Sequence, residues 1–256
     1  MLTITSEQLK DNYYIDMENK IENLPNAPIK KVTIEVISSE NRTEEELRLV
    51  NEELKKDYPE EKQNMLNELS INISETGQHI SHKQESNGSI LSSGKKKVLI
   101  GNSKLVFSDG SKYENGARII SEYKNIWDKY TKNYKPEKIE RIGLRYENNF
   151  QIGFEEIKEI NIRPVMGETK STILMGQVFM KFAVSSPEKY KADGILSLAI
   201  TPLENERLDI AFDIDVFEKD IDYRNPDTII ATLDRLRNFK NELFFANILD
   251  ANERFK

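Results

Sequence analysis

The sequence predicts an α+β fold in which antiparallel sheets are packed by helices. Three observations carry this. Several segments alternate apolar and polar residues with the period of a half-buried strand. Others place apolar residues three and four apart behind recognisable helix caps. The second half reads as four strands followed by one long amphipathic helix, a layer pair with the helix covering one sheet face. The chain divides into an N-terminal arm over 1–23, an N-terminal α+β half over 24–135, and a C-terminal half over 136–256 built as a four-stranded meander plus helix. A duplicated α+β unit joined around Tyr134-Lys135-Pro136 is one reading of the two halves. No residue-level repeat accompanies it.

Taken in order, Pro25 and Pro28 force extended backbone after the polar arm. Val32, Ile34 and Val36 then alternate as a strand over 29–37. Thr43-Glu44-Glu45-Glu46 is a capping box, opening a helix whose stripe is Leu47, Val50 and Leu54 and which ends before Pro59. Leu69, Ile71 and Ile73 predict a strand, with a partner over 78–85 after the Glu75-Thr76-Gly77 turn. Ser86-Asn87-Gly88-Ser89 and Ser92-Ser93-Gly94 read as loops. One or two strands follow over 97–107, broken near Gly101-Asn102-Ser103, and Asp109-Gly110 makes a turn. Ile119, Tyr123, Ile126, Trp127 and Tyr130 share one face of a helix. Strands are expected at 139–150, 172–185, 194–203 and 207–217. The last helix starts at Asn225 as N-cap and Pro226 as first helical residue, with the stripe Ile229/Ile230, Leu233, Leu236, Phe239/Lys240, Leu243 and Phe244, closed by Ile248.

Composition narrows the chemistry. The 256 residues are 38% hydrophobic and 32% charged, a globular mix. With 37 basic and 44 acidic side chains the net charge is −7, which argues against a nucleic-acid coat, although a local basic groove stays open. The chain has no cysteine, so disulfides, thiolate nucleophiles and Cys-based metal sites are excluded. No apolar run approaches the ~20 residues of a membrane span, and Met1 to Glu7 lack the features of a signal peptide. A cytoplasmic protein is expected, with no cofactor and no membrane contact.

Two histidines, His79 and His82, lie three apart on an expected polar hairpin, where strand geometry points them to opposite faces rather than at a shared metal. Neither a P-loop nor a dinucleotide fingerprint is present. Ser93-Gly94-Lys95-Lys96-Lys97 could touch phosphate, but lysines at a strand start more simply blunt an exposed edge. Asp209, Asp213 and Asp215 share one face of a strand whose other side is Ile210, Phe212, Ile214 and Val216. They fit either a metal-dependent nuclease or phosphohydrolase or, as the favoured reading, the solvent side of a one-sided sheet. Arg141, Arg145, Tyr146, Asn148 and Asn149 lie along one strand as the candidate binding residues. Arg141 and Arg145 face one way beside Gly143, which would let another backbone approach. They could hold an anion bidentately, or pair with Asp209, Asp213 and Asp215 across the sheet, which accounts for both clusters together.

The run Tyr134 to Phe150, with Arg-Ile-Gly-Leu-Arg-Tyr at its centre, and the earlier Leu24-Pro25-Asn26-Ala27-Pro28-Ile29 resemble the central signature and the opening motif of a prokaryotic protein family of this size. That family is scattered among bacteria and archaea and has no established activity; the resemblance covers roughly residues 24–250. Its patchy distribution implies a place in a mobile defence, toxin–antitoxin or immunity system. The expected function is a non-catalytic binding protein with a protein partner, engaged through a sheet edge or the sheet–helix groove. The ordering of strands then helix also resembles SecB-like chaperone folds, an analogy of fold alone.

Overall fold

The computed structural model describes residues 24–74, 77–132, 135–161, 176–223, 225 and 227–256, with backbone only for those lying within 65–87. The expected arm over 1–23, Tyr134, residues 172–175 of the second expected C-terminal strand, Pro226, and the side chains of His79 and His82 lie outside the described residues.

Among the described residues nine strands form one antiparallel sheet. In chain order they are β1 (Ile29–Ser38), β2 (Glu60–Ser74), β3 (Gly77–Ser93), β4 (Lys96–Ile100), β5 (Lys104–Asp109), β6 (Lys138–Gly153), β7 (Val178–Ser186), β8 (Ala192–Pro202) and β9 (Arg207–Asp222). Across the sheet the order is β2-β3-β4-β5-β1-β6-β9-β8-β7. The expectation of separate sheets is thus corrected: β1 and β6 pair from Ile29↔Asn148 to Ser38↔Ile139, and this seam joins both halves. The expected four-stranded meander is corrected too. Only β7, β8 and β9 follow one another, and β6 lies on the far side of β9. Outward from the seam, β1 is followed by β5, β4, β3 and β2, and β6 by β9, β8 and β7.

Among the described residues three helices, α1 (Glu44–Leu54), α2 (Gly116–Lys132) and α3 (Thr228–Asn247), cover one face, and a four-residue α4 (Ala251–Arg254) follows α3. The α1 capping box forms as the sequence reads, with Thr43 and Glu46 each satisfying the other's backbone N–H. Leu47, Val50 and Leu54 are buried on its inner side. On α2 the expected stripe is buried throughout, and Trp127 Nε1 donates to the Tyr223 hydroxyl at 3.1 Å. α3 runs from Thr228, and the Asn225 side chain accepts from the Asp227 N–H in a turn that precedes the helix. The buried residues of the strands and helices form one continuous core on this side.

Two further expectations change. Ser86 to Ser89 is not a loop: β3 runs through it, and a register shift against β2 marks a β-bulge, with Gly88 at positive φ. The lysines of 95–97 do not guard an edge, because β4 lies between β3 and β5. Lys96 instead reaches the helix layer, where its Nζ contacts Glu122 at 2.8 Å. Among the described residues no helix is long and apolar enough to cross a membrane.

Candidate functional site

Strand β6 carries the residues singled out from the sequence, and its pleat divides them. Ile142, Leu144, Tyr146, Asn148, Phe150 and Ile152 face the helices and are buried. Arg141, Gly143, Arg145, Glu147 and Asn149 face the opposite side, which no described element covers. Tyr146 and Asn148 are therefore core residues. Asn148 Nδ2 donates to the carbonyls of Tyr146 at 3.3 Å and Phe212 at 2.9 Å, so a buried amide is spent on backbone acceptors.

On the open face the arginines and aspartates pair with one another, as one of the two sequence readings held. Arg145 is directly opposite Asp215 in the ladder but bonds diagonally to Asp213, Nε at 2.9 and 3.0 Å and Nη2 at 2.7 Å. That leaves Asp215 to Arg141, whose Nη2 contacts both carboxylate oxygens at 3.1 and 3.0 Å. Arg141 Nη1 also reaches Glu35 on β1 at 2.5 Å. The diagonal lean takes Arg141 away from Lys219, its like-charged neighbour in the ladder. Asn149 Nδ2 donates to Asp209 at 3.2 Å, and Lys31 pairs with Glu147 at 2.9 Å.

Gly143 has a reason that the sequence alone did not show. It makes room not for another backbone but for Arg141 itself: a methyl group at Gly143 would overlap the Arg141 guanidinium. Lying flat over the glycine, the guanidinium spans from Glu35 to Asp215 and stacks on Phe217, its Cζ 4.6 Å from the ring centroid. Burial nonetheless holds the Asp215 carboxyl above its usual range, Arg141 offsetting this only in part. Arg145 is more exposed, and its hydrogen bonds to Asp213 raise its pKa further.

Asp209, Asp213 and Asp215 thus share a face but serve Asn149, Arg145 and Arg141 respectively. Among the described residues no three His, Cys, Asp or Glu side chains gather as a metal-ligand set.

Two features were not singled out as sites from the sequence. The first is the edge strand β7. Among the described residues it pairs only with β8, and Phe179 and Phe182 are 68% and 41% exposed. The second is Lys240 on α3, which the sequence placed in the apolar stripe as an alternative to Phe239. Both are buried. Lys240 is only 7% exposed, its Nζ lies 4.1 Å from the centroid of the Tyr146 ring, and burial together with Arg237 pulls its pKa down to about 7. No protein-family model matches this chain, and no curated protein shows significant similarity to it.

Proposed function

We propose that this is a cytoplasmic, non-catalytic binding protein that takes a protein partner by strand addition at β7. The observation that carries the reading is the edge itself. A sheet edge presents a row of backbone donors and acceptors, and proteins ordinarily blunt it with charge, proline or cover. The nine residues of β7, Val-Phe-Met-Lys-Phe-Ala-Val-Ser-Ser, have one charge and no proline. Val178, Met180 and Val184 pack against the core and hold the strand in place, while Phe179 projects from the open side and Phe182 lies exposed at the rim. An incoming strand gains the main-chain ladder for affinity and the two rings for specificity.

Within this reading the partner belongs to a mobile defence, toxin–antitoxin or immunity system, which the resemblance of the β6 signature to a sporadically distributed prokaryotic family supports. The same mirrored strand order on either side of the β1–β6 seam, each half closing on a helix, supports a duplicated α+β unit. So do the buried positions Gly116, Ile119, Ile120, Tyr123, Ile126 and Trp127 of α2, whose spacing recurs in α3 as Ile229, Thr232, Leu233, Leu236, Phe239 and Lys240. Metal-dependent hydrolysis at Asp209, Asp213 and Asp215 has no such support, since each carboxylate is engaged by a neighbouring cation or amide.

The test is recovery of the tagged protein from its native host, with and without phage challenge. The wild type should retain a stoichiometric protein, and the double variant Phe179→Lys, Phe182→Lys should lose it. Melting should change little, because exposed substitutions stay within roughly 0.5 kcal/mol. Retention by the variant, or no stoichiometric partner in any condition, would overturn the reading.

A further inference from the structure

The covered face of β6 holds a charge imbalance that the core does not explain. Lys240 is more than nine-tenths buried and makes no hydrogen bond or ion pair among the described residues; its ammonium rests on the Tyr146 ring. The charge that acts on it is another cation, Arg237, one turn earlier on α3. Arg237 is scarcely better served. Its Nε is buried without a hydrogen-bond partner, and its nearest carboxylate, the exposed Asp234, stands 3.8 Å from Nη2. Two cations on adjacent turns, turned toward a sheet and short of counter-charge, cost stability unless something supplies that charge.

The surroundings are those of an anion site. Tyr146 meets Tyr113 edge-on, with 6.1 Å between ring centroids. Tyr113 and Arg237 both close on the first residue of α2: a Cβ on Gly116 would lie 3.3 Å from the Tyr113 hydroxyl and 2.8 Å from Arg237 Cδ. The glycine therefore brings the start of a 17-residue helix, the positive end of its dipole, against Arg237, while Lys240 approaches through the Tyr146 ring that Tyr113 touches. The nearby Arg118 is already balanced by Asp109 and Glu122. Arg237, with its side chain 26% exposed, and the half-buried Tyr113 are where this cluster reaches solvent.

We propose that the polar cluster between the start of α2 and the middle of α3 binds a phosphoryl group, held by Lys240, Arg237 and the Tyr113 hydroxyl, with the positive end of the α2 dipole behind them. A dianion matches two cations and a helix terminus where a single carboxylate would leave charge over. The group is either free phosphate or the phosphate of a small ester, and the site stands independently of partner binding at β7.

Melting of the full chain decides it, in a zwitterionic buffer with chloride keeping the ionic strength constant. Inorganic phosphate or AMP, added at about ten times its dissociation constant, should raise the melting temperature by roughly 3–6 °C. A shift with phosphate assigns the site to the free ion or a terminal phosphoryl group; a shift with AMP alone assigns it to esters. Lys240→Met and Arg237→Met should each abolish the shift, and Phe179→Lys should leave it intact. No shift with either probe, or a shift that survives in both methionine variants, would overturn the proposal.

Discussion

The two faces of β6 treat charge in opposite ways. On the open face the formal charge is dense and almost entirely matched: Arg141 with Glu35 and Asp215, Arg145 with Asp213, Lys31 with Glu147. On the covered face, among Ile142, Leu144, Tyr146 and Phe150, a buried ammonium stands over an aromatic ring without a carboxylate. The side that looks reactive in the sequence is electrostatically settled, and the side that looks like plain core is not. A run of exposed charges in register is inexpensive for a sheet to arrange, because water screens whatever the geometry leaves over. A buried cation has no such help.

Substitutions can break this contrast. The largest loss belongs to the core that both halves share. Trp127 is 2% exposed, packs between Tyr123 and Tyr130 and donates to Tyr223, so Trp127→Ala should cost about 3–5 kcal/mol in denaturant unfolding. Normal unfolding with lost partner binding would make α2 an interface instead. Next comes Arg141→Ala, at roughly 1–3 kcal/mol, less than for a fully buried pair because its partners keep some water. Gly143→Ala should reproduce part of that loss by displacing the guanidinium. The double variant should then lose less than the two single losses added together. Additive losses would show that the glycine serves something other than Arg141. The smallest effect is Arg145→Ala, near 0–1 kcal/mol, since its side chain is 48% exposed and water can satisfy Asp213.

Much of this fold was legible in the sequence where the physics is local. The capping box at Thr43, the stripe of α2 and the alternation of β1, β6 and β9 each depend on neighbours within a few residues, and all appear as expected. Strand order does not depend on neighbours alone. Nothing in residues 138–153 announces that β6 lies between β1 and β9, so separate sheets and a meander were expected where one sheet exists. The bulge at Ser86–Ser89 was hidden because a glycine in a polar run reads equally as a loop. In the candidate site, the pairing of Arg141 and Arg145 with the aspartates could be anticipated from side-chain alternation, whereas the diagonal register could not. The signal for Lys240 was present: a lysine at a stripe position of α3. Reading it as an alternative to Phe239 concealed that both are buried.

The most direct test of the contrast is the pH dependence of stability for the wild type and Lys240→Met, measured by denaturant unfolding from pH 6 to 10.5 in a phosphate-free buffer. The folded pKa of Lys240, about 7, lies below its unfolded value of about 10.4. Below pH 7 both states carry the proton and the folded protein bears the full cost of a buried ammonium beside Arg237 and Tyr146. Between pH 7 and 10.5 only the unfolded state still binds it, so the wild type gains stability as pH rises. The methionine variant should therefore be the more stable protein at pH 6–7, by an amount on the order of 3–5 kcal/mol. That advantage should shrink steadily toward pH 10.5. A methionine variant that is less stable than the wild type by the same amount at every pH would show that the ammonium is compensated, and the contrast between the two faces would fail.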